Sequence, residues 1–111
     1  MRRSRQEKVR FVGALGSELA ARLDLPEGEP RAYVLFAHCF SCSKDLKAVG
    51  RISRSLVEEG LAVLRFDFTG LGESEGEFAD TNFSTNLDDL VAAADFLRGR
   101  GQTPRVLVGH S

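Results

Sequence analysis

A chain of 111 residues, 42% hydrophobic and 28% charged, has the length and composition of one small globular unit able to bury a core. Its formal net charge is −1, with acids and bases mixed along the chain, which excludes the concentrated Lys/Arg footprint of a nucleic-acid binder. No run approaches the roughly 18 apolar residues needed to span a bilayer, so no membrane segment is expected and the cytoplasm is the default location.

The opening Met1-Arg2-Arg3-Ser4-Arg5 is basic. An export signal would need an uninterrupted apolar stretch behind the arginines, and Glu7, Lys8, Arg10, Glu18, Arg22 and Asp24 break it up. Residues 1–8 are therefore expected to form a basic tail, and residues 9–111 a partial domain. Val9 to Leu15 and Glu18 to Leu25 read as two strands joined at Gly16-Ser17. In the second, Leu19, Ala21, Leu23 and Leu25 alternate with Ala20, Arg22 and Asp24, the pattern of a half-buried edge strand. Pro26 to Pro30 is a loop.

From Ala32 the pattern changes. Ala32 to Ala37 is a continuous apolar run, the mark of a strand buried on both faces of a parallel sheet. After a polar loop, Asp45 to Glu59 reads as a helix with Leu46, Val49, Ile52, Leu56 and Val57 on one stripe; Ser43 or Asp45 could cap it, and Gly60 ends it. Leu61 to Phe66 is a second buried strand, and Asp67 to Phe83 a long glycine-rich loop. A second helix is expected from about Thr85 to Arg100, with Leu87, Leu90, Val91, Ala94 and Leu97 as its apolar face. Arg105 to Val108 is the third buried strand. An antiparallel hairpin followed by three parallel strands and two crossover helices is an α/β architecture.

Ligands bind beyond the carboxyl ends of such parallel strands, where three loops should converge: His38 to Lys44, Asp67 to Phe83, and Gly109-His110-Ser111. A serine hydroxyl becomes a nucleophile when a base takes its proton and a tight strand-to-helix turn exposes it. Gly109-His110-Ser111 is the first half of such a G-x-S-x-G elbow, with Ser111 as nucleophile. Acyl transfer also needs backbone N–H groups aimed at the developing oxyanion, and Phe40 on the first loop is the candidate donor. His38 braces that loop, with Cys39 beside it, and lies on the wrong loop to be the base. The glycines of Asp67 to Gly76 do not make a dinucleotide fingerprint, because Glu75 stands where glycine is required and no helix opens there.

These residues carry a resemblance. The His-x-Phe loop at His38, the run Asp67-Phe68-Thr69-Gly70-Leu71-Gly72-Glu73-Ser74 and Gly109-His110-Ser111 resemble the α/β-hydrolase superfamily across nearly the whole chain, in particular its serine aminopeptidase-like members. Thr69 departs from the family's D-x-R-G-x-G-x-S pattern at its arginine. The run from Phe36 to Lys47, with cysteine at 39, looks closer to bacterial proteins in which the hydrolase domain precedes an OsmC-like domain. The resemblance implies an acyl-transfer hydrolase acting on a small-molecule ester or amide, with Ser111 as nucleophile and the Phe40 N–H as oxyanion donor. It implies an acid and a histidine later in the chain, so that the sequence as given is expected to be an amino-terminal fragment, inactive alone.

Two other chemistries compete for the first loop. Cys39-Phe40-Ser41-Cys42 between a strand and a helix is how thiol redox modules present a thiolate, although the strand order departs from theirs and no Trp or Pro adjoins the pair. His38, Cys39 and Cys42 could begin a metal site, but closed zinc sites want four ligands and His110 is the only further imidazole. No metal or cofactor is expected. Ending the sheet at the last strand would leave Val106, Leu107 and Val108 as an exposed apolar edge, prone to association.

Overall fold

The computed structural model describes residues 5–37, 47–71, 73–77, 79 and 81–109. Its strands are β1 (Arg5–Val12), β2 (Glu18–Leu25), β3 (Tyr33–Ala37), β4 (Ala62–Phe66) and β5 (Pro104–Gly109), and its helices α1 (Lys47–Glu58) and α2 (Phe83–Gly99). They form one five-stranded sheet in the order β1-β2-β4-β3-β5. β3 is parallel to both β4 and β5, while β2 joins β4 antiparallel and carries β1 as its hairpin partner. This is the expected α/β architecture.

The two helices cover opposite faces. α1 packs over a small cluster of Val34, Phe36, Val49, Val57 and Val63, and α2 over a larger one that includes Leu19, Leu23, Leu35, Leu64, Phe66 and Leu97. The strand period of two explains the split: Val34 and Phe36 face α1, and Leu35 between them faces α2. α1 ends as its glycine predicts. Gly60 takes φ 89°, its N–H donates to the Val57 carbonyl at 2.9 Å, and the Leu61 N–H donates to Leu56 at 3.1 Å, a Schellman cap. α2 opens on Asn82, whose side chain accepts from the Thr85 N–H while the Thr85 hydroxyl accepts from the Asn82 N–H. No helix among the described residues is long and apolar enough to cross a membrane.

Four expectations are corrected. β1 begins at Arg5 and ends at Val12, because the ladder to β2 runs from Arg5↔Leu25 to Val12↔Glu18; residues 5–8, expected in the tail, are strand. β2 is interior, between β1 and β4, with residues of both its faces buried. Its polar Asp24 is buried because the Arg65 Nε donates to it at 2.8 Å and the Ser53 hydroxyl donates to the same carboxylate oxygen. α2 is rotated from its expected face: Leu87 and Val91 are 46% and 55% exposed, while Asn86, Asp89, Ala93 and Leu97 point inward. β5 is the sheet edge, and its Val106 and Leu107 are exposed rather than buried, which matches the expected apolar edge. Val108 packs against the α1-side cluster.

Candidate active site

Three chain segments leave the sheet at one rim. Because β3, β4 and β5 are parallel, their carboxyl ends at Ala37, Phe66 and Gly109 lie on the same side. Ala37 and Gly109 are register partners on adjacent strands, and Arg65 pairs with Phe36 one residue short of the strand ends. Neighbouring strands lie about 4.8 Å apart, so the chain leaves β3 at Ala37 and β5 at Gly109 within a side chain's reach of each other. His38, Cys39, Phe40, Cys42, His110 and Ser111 themselves lie outside the described residues. Of the expected nucleophile, oxyanion donor, loop supports and cysteine pair, only the strands that lead to them are described.

The third segment is described in detail. Asp67 follows β4 directly and is fully buried. Its N–H donates to the Ala20 carbonyl at 3.0 Å, and its Oδ2 accepts the Glu73 N–H at 3.0 Å. The Ser74 hydroxyl donates to the Asp67 carbonyl and accepts the Ala20 N–H at 2.9 Å, while the Glu75 N–H donates to Glu18 at 2.9 Å. Asp67 and Ser74 thus close the loop on itself and fasten it to β2. Between them the chain reverses at Gly70, φ 77°, a left-handed conformation costly for any side chain. Gly76, φ 99°, packs so closely that a Cβ there would stand 2.7 Å from the Thr69 methyl. Below the loop, Phe68 meets Phe66 edge-on at 4.9 Å, and Phe66 meets Phe11 at 5.7 Å. Asp67, Gly70, Ser74 and Gly76 build a wall at the rim.

Sequence reasoning missed the residue that holds this wall from the other side. Asp89 on α2 is fully buried. Its Oδ2 accepts the Thr69 N–H at 3.0 Å and the Thr69 hydroxyl at 2.8 Å, and its Oδ1 accepts the Ala14 N–H at 2.8 Å. One carboxylate joins α2, the rim loop and the β1–β2 turn. The turn approaches so closely that a Cβ on Gly13 would lie 2.7 Å from Asp89 Oδ1. Thr69, where the family pattern has arginine, supplies two of the three donors. The available signal was the spacing of Asn86, Asp89, Ala93 and Leu97, which is helical but not apolar. Among the described residues no group of three or more His, Cys, Asp or Glu is placed to hold a metal ion.

Comparisons agree with this geometry. The family model described as serine aminopeptidase, S33, matches residues 28–111. An esterase domain from a Rhodothermus marinus protein is 52% identical with a TM-score of 0.74, covering 96% of this chain and 40% of its own. XC6422 from Xanthomonas campestris, a serine hydrolase without a lid, is 30% identical with a TM-score of 0.80, covering 96% of this chain and 50% of its own. Est1E from Butyrivibrio proteoclasticus, solved with ferulic acid, is 26% identical with a TM-score of 0.83, covering 93% of this chain and 43% of its own. No curated protein matches. The chain spans half or less of the length of these three structures. On the match to its family model and its sheet order, the chain belongs to the serine aminopeptidase S33 family and has the α/β-hydrolase fold.

Proposed function

We propose that the full-length protein is a serine hydrolase that cleaves small-molecule esters or amides by acyl transfer, with Ser111 as nucleophile and the Phe40 backbone N–H as an oxyanion donor. The observation that carries this reading is the pairing of Ala37 with Gly109, which starts the two loops bearing those residues from adjacent strands at one rim. The Ser111 hydroxyl oxygen adds to the substrate carbonyl carbon while its proton passes to a histidine supplied later in the chain. The carbonyl oxygen becomes an oxyanion, held by the Phe40 N–H and by the N–H of the residue after the nucleophile. Collapse expels the alcohol or amine, which takes the proton from the histidine; water repeats the sequence and releases the acid. Ester substrates are favoured by the 52% identity to an esterase domain.

The test is to express the reading frame extended beyond codon 111 and treat the product with a fluorophosphonate probe. Covalent labelling is expected, and Ser111→Ala is expected to abolish it and to lower kcat on a model ester on the order of 10⁴-fold or more. Labelling that is absent, or unchanged in the alanine variant, rejects the assignment. The same extended frame is proposed to encode an OsmC-like domain, on the strength of the cysteine at 39; a frame without one removes that part alone.

A further inference from the structure

The geometry points to Asp89 as a positioning residue for the proposed hydrolase, one that couples the β1–β2 turn to the loop flanking the rim. Its effect on turnover rests on the hydrolase reading, whereas the coupling itself does not. β2 runs antiparallel to both β1 and β4, so the carboxyl ends of β1 and β4 lie at the same rim. The turn at residues 13–17 therefore stands beside the loop that starts at Asp67, whose N–H reaches back to the Ala20 carbonyl. α2 reaches both segments through one side chain. Asp89 is fully buried, and its oxygens divide between the two: Oδ2 accepts the N–H and the hydroxyl of Thr69, and Oδ1 accepts the Ala14 N–H. Both oxygens belong to one planar group, so a shift of either segment turns the oxygen that holds the other.

Packing leaves that carboxylate little room to turn. A Cβ on Gly13 would stand 2.7 Å from Asp89 Oδ1 and 2.7 Å from Leu19 Cδ1, so the backbone of the turn lies directly on the acid. On the other side, a Cβ on Gly76 would stand 2.7 Å from the Thr69 methyl and 3.0 Å from the Ser17 hydroxyl oxygen. Thr69 is thus held between Asp89 and the far end of its own loop, and the turn meets that loop a second time at Ser17. A carboxylate is a costly filler for a buried position, because each oxygen must find donors; what it adds over an apolar side chain of similar volume is a set geometry among three segments. β4 adjoins β3 in the sheet, so the loop leaves the rim next to the segment that bears Phe40, the proposed oxyanion donor.

Hydrogen exchange in the full-length protein tests the coupling. In the parent, the Ala14 and Thr69 amides are expected to share one opening free energy and one urea dependence, because both are released when Asp89 swings away. Thr69→Val keeps the shape of the side chain and removes its hydroxyl. It is expected to speed exchange about tenfold at Ala14 as well as at Thr69, with β3 amides as in the parent, and Thr69→Ser to restore slow exchange at both. On a model ester, Thr69→Val is expected to lower kcat per fluorophosphonate-titrated site several-fold with KM little changed, and Thr69→Ser to recover it. A merely structural loss would instead reduce the number of titrated sites at unchanged kcat. Different opening free energies at Ala14 and Thr69 in the parent, or an Ala14 amide that Thr69→Val leaves unchanged, overturn the coupling. Should the valine variant not fold, the parent comparison decides alone. Equal kcat per titrated site in the valine variant and the parent overturns the positioning role. A parent that neither labels nor turns over esters rejects the hydrolase reading and the effect on turnover with it, while exchange still decides the coupling.

Discussion

Asp89 satisfies three donors that come from segments 20 and 75 residues away in sequence. Replacing it with alanine leaves Thr69 and Ala14 donors without their acceptor, and a buried donor left unmade costs about 1–3 kcal/mol. Asp89→Ala is therefore expected to lower unfolding free energy by about 3 kcal/mol, whereas Asp88→Ala, one position round the helix and exposed, should change it by less than about 0.5 kcal/mol. Urea unfolding of the two variants side by side checks this, and equal losses would show that the carboxylate is not the tie. The same comparison explains why these residues were illegible in the sequence. Asp24 and Asp89 are charged, and a single charged residue in a pattern reads as solvent-facing. What buries each one is a partner more than 10 residues away, which local periodicity does not contain.

At the scale of elements, legibility follows burial on both faces. β3 and β4 could be read directly because Val34, Leu35 and Phe36, like Val63 and Leu64, are apolar toward both helices. β2 misled because its α1-side residues include Arg22 and Asp24, which mimic a solvent face although α1 and β4 cover them in part. α2 misled for the opposite reason: its exposed Leu87 and Val91 look like a core stripe. α1 carries a further consequence in Gly50, an interior helical position with room for a methyl. Glycine costs a helix interior about 1 kcal/mol relative to alanine. Gly50→Ala should raise the unfolding free energy by about that amount, read as a higher urea midpoint with an unchanged m-value, and a lowered midpoint would mean the position cannot accept a side chain.

Over the whole molecule, the two sheet edges differ in character. β1 presents charged side chains, Lys8 and Arg10 among them, which protect an edge from pairing. β5 presents Val106 and Leu107, 45% and 61% exposed. A polypeptide of residues 1–111 expressed alone is expected to self-associate in a concentration-dependent way by sedimentation, and Leu107→Lys should reduce that association. A monodisperse parent would contradict the reading of this edge. The site was legible in the same uneven way. The motif residues announced the rim and the wall, while the ties that hold the wall, Asp89 and Thr69, depend on a helix rotation that the pattern of apolar residues misplaces.

The hairpin β1–β2 stands far in sequence from Ser111, yet it supplies Glu18 and Ala20 as moorings for the loop that flanks the rim, and Ala14 as a donor to the Asp89 carboxylate that holds that loop from α2. Its tip at Ala14, Leu15 and Gly16 is exposed to proteases. If the full-length protein is the proposed ester hydrolase, a single nick there should slow its turnover while leaving Ser111 chemically whole, which mass spectrometry of the nicked protein together with its residual rate can establish. Amino-terminal processing would then be a means of silencing the proposed hydrolase without touching Ser111.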